Sequence, residues 1–334
     1  MKKKLMALIM GTLMVTTILG GCNSNTANPA MPSESTDAST STVAEPPVET
    51  PAAAGGKYAL VMSHMSNAFV TTFAEAAKEK AAELGVELIV FDGNKDSATQ
   101  IGQIESVITQ GYAGIMVEPV SVDGIRPAVE AANNAGIPII TVVQQMTQSE
   151  LIQSHIGGDD MSAGKLEMEK AIEGMGGKGK IAILYGPMGS DAMLIRKEGY
   201  DTVLAQNPDV EVVFDQTANW VTDEALKIVE NWLQSGKKIN AIVSQNDGMA
   251  IGAVKAVEDA KLNDSIMVYG IDATPDGISA ISAGRMEGTV SQNVAGQGKL
   301  AMETIVKLVA GDAVDEIIQT PPEWVTRENV TDYE

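Results

Sequence analysis

The sequence predicts an α/β protein built from two doubly wound parallel-sheet lobes. Short apolar runs alternate with helix-spaced segments from about residue 58 to residue 291, and the pattern starts afresh after residue 156. The run at 241–243 carries no polar residue, which is typical of a strand buried on both faces of a parallel sheet. Two such sets in succession, each short for a full domain, indicate two similar lobes with a cleft between their strand ends.

The elements of the first lobe follow one another closely. Apolar runs predict four strands, at 58–62, 86–91, 113–117 and 137–143. Helical spacing predicts three helices, at 68–84, 97–110 and 122–135. Phe69, Phe73 and Ala77 share one stripe of the first helix, and Gly85 is a typical helix end.

A further run at 152–156 leads into the second lobe. Its predicted strands lie at 181–185, 210–214, 241–243, 266–271 and 288–291. Its predicted helices lie at 163–175, 192–205, 223–235, 249–260 and 275–283. Asp247 is placed to cap the helix at 249–260, so Gln245 and Asn246 fall where open α/β sheets bind ligands. An amide pair there suits a polar, neutral molecule.

The N-terminus predicts export and a lipid anchor. Three lysines precede an uncharged apolar run at 5–19, which is short for a membrane span, and the chain's only cysteine, Cys22, follows it. We expect residues 1–21 to be a signal peptide, and the ending at 19–22 resembles a bacterial lipobox, which implies a lipid on Cys22. A lone buried cysteine is the alternative. Residues 22–56 have a composition that predicts a disordered tether.

Charge argues against nucleic acid as a partner. The chain has 23 Lys and Arg against 44 Asp and Glu, and residues 1–21 hold three lysines and no acid, so the remainder carries 20 − 44 = −24. Such a surface repels phosphate. A DNA-binding regulator would also need a basic helix-turn-helix where this chain has its signal and tether. We expect a monomer held at the outer face of the cell membrane.

Catalytic and metal-binding motifs are missing from the sequence. His64 and His155 are the only histidines, and no G-x-S-x-G elbow or P-loop occurs. Glycines at 174, 176 and 179 match G-x-G-x-x-G, but they precede a strand instead of following one, so they predict a helix end. We therefore expect no enzyme activity, no cofactor and no metal. His64 stands at a strand end, where it could face the cleft.

Six stretches carry a resemblance to a known family. They are SHMSNAF at Ser63, PIITVVQQ at Pro138, RKEGY at Arg196, SQNDGMAIGA at Ser244, GIDATPDG at Gly270 and GTVSQNVAGQG at Gly288. From Tyr58 onward the chain resembles type I periplasmic binding proteins of the ribose/galactose class, most closely ribose-binding proteins. The resemblance implies that the two lobes close around a ligand, which is then delivered to an ABC permease. Presentation of a bound ligand to a membrane receptor is the alternative function.

The resemblance also implies a domain division. Crossing segments are expected near Gly158, Gln292 and Pro322, which joins the lobes at three places. Residues 57–158 and 293–322 would form the N-terminal lobe. Residues 159–292 and 323–334 would form the C-terminal lobe.

The family's sugar contacts fall on side chains with suitable chemistry. The expected ligand-binding residues are Asn67, Phe69, Gln144, Trp220, Asn246, Asp272 and Gln292. Asp272 can accept from two vicinal hydroxyls, the amides donate and accept, and the aromatic rings can face the C–H surface of a sugar. Plainer interpretations stay open: Asp272 could cap the helix at Thr274, Asn246 could be a turn residue, the aromatic residues could be core, and Arg196 could form a structural ion pair.

Departures from the family concern ligand identity. Ribose binders carry an Asp-Arg pair where this chain has Val143 and Gln144, and Leu194 replaces another ligand-binding arginine. The cleft is then expected to hold one carboxylate, Asp272, among amides and apolar groups. Each unpaired ligand hydroxyl costs on the order of 1 to 3 kcal/mol, so we expect ribose to bind weakly. A deoxy sugar, a polyol or a sugar-like amine fits better, and the neutral kinds are preferred.

Overall fold

The computed structural model describes residues 56–333. The expected signal peptide, Cys22 and nearly all of the expected tether lie outside these residues. In the described part, twelve strands and nine α-helices form two α/β lobes. Two short 3-10 helices also occur, at Ser149–Leu151 and Val330–Tyr333.

The strands are short and mostly buried. In chain order they are β1 (Lys57–Met62), β2 (Glu87–Asp92), β3 (Gly114–Val117), β4 (Ile139–Val142), β5 (His155–Gly158), β6 (Gly179–Tyr185), β7 (Val210–Thr217), β8 (Ala241–Ser244), β9 (Met267–Ile271), β10 (Gly288–Ser291), β11 (Ile317–Thr320) and β12 (Glu323–Val325). The helices are α1 (Ala68–Glu83), α2 (Ser97–Thr109), α3 (Arg126–Asn134), α4 (Asp160–Gly174), α5 (Asp191–Leu204), α6 (Thr222–Gln234), α7 (Asp247–Asp259), α8 (Pro275–Ser282) and α9 (Val294–Ala310).

The strands form two six-stranded sheets. The first has the order β11-β5-β4-β3-β1-β2, and all of its strands are parallel. The second has the order β12-β10-β9-β8-β6-β7, where only β12 runs antiparallel. Helices pack on both faces and bury the apolar runs, which confirms the predicted fold class.

Most predicted elements occur, with four instructive differences. Helix α3 begins at Arg126 instead of 122, because Ser121 Oγ accepts from Gly124 N (3.0 Å) in a preceding turn and a proline occupies the first helical turn. Helix α4 begins earlier than expected, because Asp159 caps it through Ser162 N (3.0 Å). The run predicted at 152–156 forms its strand later, at β5. Helix α9 and strands β11 and β12 were not predicted.

The cap of α7 differs from the expectation. Asn246, and not Asp247, accepts from Met249 N (3.0 Å), because its extended backbone places it just before the first helical residue. Asp247 is that first residue. Its carboxylate instead accepts from Thr274 N (2.8 Å) and Thr289 Oγ1 (2.7 Å), which ties the start of α7 to the loop after β9 and to strand β10.

Three crossing segments connect the lobes, as expected. They lie between β5 and α4, between β10 and α9, and between β11 and β12. Gln297 Nε2 donates to Gln292 O (2.8 Å) and to Thr320 Oγ1 (3.1 Å), and Thr320 Oγ1 donates to Gln292 O (2.6 Å). Asp159 N donates to Thr320 O (3.2 Å). The three segments are therefore hydrogen-bonded to one another at one place.

No helix within residues 56–333 combines the length and the apolar character needed to cross a membrane.

Candidate functional site

A cavity of about 560 Å³ lies between the carboxyl-terminal strand ends of the two sheets. All seven residues expected to bind a ligand line it: Asn67, Phe69, Gln144, Trp220, Asn246, Asp272 and Gln292. Parallel strands that point at a common crevice bring these distant positions together. Their contact with a ligand stays a prediction.

The wall from the first lobe combines helix-cap and packing residues. Asn67 Oδ1 accepts from Val70 N (3.1 Å) and so caps α1, which fixes the amide at the cavity edge. Phe69 is half-buried, lines the cavity and also packs against the apolar core between α1 and the sheet. The packing interpretation of Phe69 and the ligand-platform interpretation are therefore compatible.

Trp220 lies on the opposite wall with its backbone in the left-handed region (φ 61°). Its ring packs so closely on Gly186 that a Cβ at that glycine would overlap it. The Arg196 guanidinium carbon lies 5.6 Å from the ring centroid, within the range of a cation–π contact. The ring is thus held firmly at the cavity surface.

Arg196 forms the structural ion pair that the sequence suggested. Its Nε lies 2.8 Å from Asp160 Oδ1, its Nη1 donates to Gln245 O, and the side chain is buried. Burial lowers the pKa of Arg196, but the carboxylates of Asp160 and Asp272 outweigh that effect and hold it above its usual value. Arg196 also lines the cavity, so the cleft contains a cation as well as a second carboxylate, Asp160.

Asp272 does not cap helix α8. Thr274 Oγ1 accepts from Gly277 N (3.2 Å) and takes that role, so the capping interpretation of Asp272 is wrong. Asp272 instead accepts from Gln292 Nε2 (3.1 Å) at the cavity wall. Burial raises the pKa of Asp272 well above its usual value, and Arg196 opposes that rise. Its φ of 123° is unusual for a residue with a side chain, which marks a strained backbone at the site.

Gln245 does not reach the cavity. It is fully buried, its Oε1 accepts from Gly186 N (3.0 Å), and its Nε2 donates to Met193 O (3.0 Å). The amide pair expected beyond β8 is therefore reduced to Asn246. Because neighbouring residues at a strand end point in different directions, only one of the two faces the cleft.

Leu194 also lies away from the cavity. Its side chain is 52% exposed, because α5 turns residues 194 and 195 toward solvent and Ala192 and Arg196 inward. Position 194 does not line the cleft, so the leucine there does not remove a cationic donor from it, contrary to the expectation from the sequence. Val143 does line it, with a φ of 62° that is rare for a β-branched residue.

Sequence reasoning missed Glu118. This carboxylate follows β3 directly, lines the cavity and is only 3% exposed. Its Oε2 accepts from Ser63 N (3.0 Å) and Ser63 Oγ (2.8 Å), and burial raises its pKa to about 7. Its position just beyond a buried strand, like that of Asp272 beyond β9, was a signal that could have found it.

His64 lines the cavity, which answers the question that the sequence left open. Ser66 N donates to its Nδ1 (3.1 Å), and burial lowers its pKa to about 4, so it is neutral at pH 7. Within residues 56–333 no His, Cys, Asp and Glu side chains are grouped so as to hold a metal ion.

Known proteins share this architecture over most of the chain. Residues 58–313 match the family model of the periplasmic binding protein domain. The xylitol-binding protein of Mycolicibacterium smegmatis is 35% identical over 269 residues, covering 79% of this chain and 75% of that protein. The ribose import binding protein of Escherichia coli is 31% identical over 256 residues, covering 77% and 86%. An ABC transporter solute-binding protein from Bacillus halodurans, solved with myo-inositol, superposes with a TM-score of 0.81 at 34% identity, covering 85% and 99%. The chain therefore belongs to the type I periplasmic sugar-binding proteins.

Proposed function

We propose that this protein captures a sugar or polyol between its lobes and delivers it to an ABC permease. One observation carries the proposal: the segments that follow the carboxyl ends of strands β1 to β10 together line one cavity with hydrogen-bonding, charged and aromatic groups. Such a mixture suits a polyhydroxylated ring or chain, whose hydroxyls need partners and whose C–H faces need apolar contact. We expect a monomer without catalytic activity or a cofactor.

Relatives with named ligands support this ligand class. Xylitol, ribose, myo-inositol and D-allose appear in the names of similar proteins or solved structures. In this chain Val143 offers no hydrogen bond from its side chain, so a ligand with an apolar or deoxy position there is favoured over ribose. Arg196 and Asp160 bring more charge to the cleft than the sequence suggested, and Leu194 does not line it, so the argument against ribose rests on positions 143 and 144.

The lobes are proposed to divide as expected, with residues 57–158 and 293–322 in one and residues 159–292 and 323–334 in the other. The membership of β11 in the first sheet and of β12 in the second supports this division. Across the cleft, Gln145 N donates to Asp191 Oδ2 (2.6 Å), so the two lobes touch beyond the cavity. That bond is expected to break when the lobes open.

Ligand binding is expected to compact the protein. Closure follows because the ligand contacts both walls only in the closed state, so it stabilises that state alone. Small-angle scattering should give a smaller radius of gyration with saturating ligand than without it. An unchanged radius at saturation would contradict closure about the crossing segments.

Trp220→Ala is expected to weaken ligand binding by about 1 to 3 kcal/mol, because the ring presents a firmly held face to the cavity. Calorimetry would measure the affinity, and Trp232→Ala, which removes a buried ring packed on Phe214 away from the cavity, serves as the matched control. A loss of folding stability with unchanged affinity in Trp220→Ala would support a core role only.

Membrane attachment is proposed to depend on Cys22, which lies outside the described residues. Cys22→Ala should release the protein from the membrane or leave an uncleaved precursor, with ligand affinity intact. Metabolic labelling with a fatty acid tests this directly. Acylation that persists in the variant would require a different anchor.

A further inference from the structure

The charges that line the cavity do not balance. Lys95 and Asp123 are exposed at its mouth, and they offset one another. The inner wall carries Arg196 and three carboxylates, of which Asp160 is paired with the arginine. Two buried carboxylates, Glu118 and Asp272, are then left without an ion pair in residues 56–333.

The two carboxylates differ in their surroundings. Asp272 feels the positive charge of Arg196 and accepts from Gln292 Nε2. Glu118 has only neutral donors, on Ser63 and Gln144. The charged group that acts on it is Asp191 of the other lobe, and this group has the same sign. No described cation compensates Glu118.

An unpaired carboxylate in a buried wall is costly to ionise. Consistent with this, burial and the nearby carboxylate raise the pKa of Glu118 to about 7. A neutral hydroxyl donates a hydrogen bond but brings no charge. A protonated amine brings both, in the strong charge-assisted form.

We propose that the ligand is a sugar-like or polyol amine whose ammonium group lies against Glu118. This inference rests on the proposed capture of a small polyhydroxylated molecule and specifies its chemical class. Asp272, the amides and the aromatic faces then contact the remaining hydroxyls and C–H groups. The neutral ligand was preferred from the sequence because Asp272 faces hydroxyls in the family that the chain resembles, and that preference did not take Glu118 into account.

The experiment compares amines with their hydroxyl counterparts by calorimetry on the purified full-length chain. The pairs are D-glucosamine with D-glucose, D-galactosamine with D-galactose, and D-glucamine with D-sorbitol. In at least one pair the amine should bind about tenfold or more tightly than its counterpart. Glu118→Gln keeps the shape and the acceptor for Ser63, and it should lower that preference by about tenfold or more. The matched control is Glu105→Gln, on the exposed face of α2, which should leave the preference unchanged.

Two results would overturn the inference while leaving sugar capture standing. One is a hydroxyl compound that binds at least as tightly as its amine in every pair that binds. The other is an amine preference that Glu118→Gln does not change. Binding of no member of any pair by the wild-type chain would instead count against both this inference and the proposed capture of such molecules.

Discussion

Arg196→Leu is expected to lower the free energy of unfolding by about 3 to 5 kcal/mol. The substitution removes the partner of Asp160 (2.8 Å), the donor to Gln245 O and the cation beside the Trp220 ring. Leucine leaves Asp160 as an uncompensated charge in a buried wall, and that penalty exceeds the modest gain from apolar packing. Denaturation in urea, followed by circular dichroism, measures the change.

Two companion variants isolate the cause. Arg285→Leu removes an exposed arginine and should change stability by no more than about 0.5 kcal/mol. Asp160→Asn combined with Arg196→Leu should recover part of the lost free energy of unfolding, because the double variant leaves no unpaired charge from this ion pair in the buried wall. A loss below about 1 kcal/mol for Arg196→Leu, or a double variant less stable than Arg196→Leu, would show that the ion pair is not what stabilises this wall.

Asp272→Ala is expected to weaken ligand binding by about 2 to 4 kcal/mol, which is about 30- to 1,000-fold. The carboxylate lines the cavity, is fixed by Gln292 Nε2 (3.1 Å) and can accept from two ligand donors at once. Its removal also leaves Gln292 Nε2 without that acceptor and takes away one of the negative charges that act on Arg196, which keeps Asp160 and Gln245 O as partners. The affinity is measured by calorimetry with the tightest ligand of the wild-type protein.

Asp276→Ala is the control for this substitution, because Asp276 is exposed in the first turn of α8 and does not line the cavity. Its affinity should match that of the wild type. Equal affinities for Asp272→Ala and Asp276→Ala would remove Asp272 from the binding site and require another acceptor for the ligand.

Much of the fold follows from local pattern alone. Fully buried parallel strands such as β3 and β8 need continuous apolar runs, which are easy to recognise in a sequence. Strands β11 and β12 escape because they are four and three residues long, lie at sheet edges and are partly exposed. Their place is decided by tertiary pairing, which a short window of sequence does not encode.

The site was predictable in location and less so in detail. Strand ends give the position of the cleft, so all seven expected residues line it. The direction of individual side chains was harder to predict, since Gln245 turns into the core and Leu194 turns to solvent. A shift of one or two residues along a helix or strand turns the side chain toward the opposite face of that element. Packing decides which face each side chain takes. Glu118 was not predicted because it lies outside the six stretches that carry the resemblance.

The central claim is that a small polyhydroxylated molecule binds between the lobes, and calorimetric titration of the wild-type protein tests it most directly. The panel comprises pentoses, hexoses, deoxy sugars, polyols and amino sugars. We predict one-to-one binding of at least one compound with a dissociation constant in the micromolar range or below, weakened by both Trp220→Ala and Asp272→Ala. Absence of binding across the panel, or binding that neither substitution affects, would contradict the assignment of this cleft.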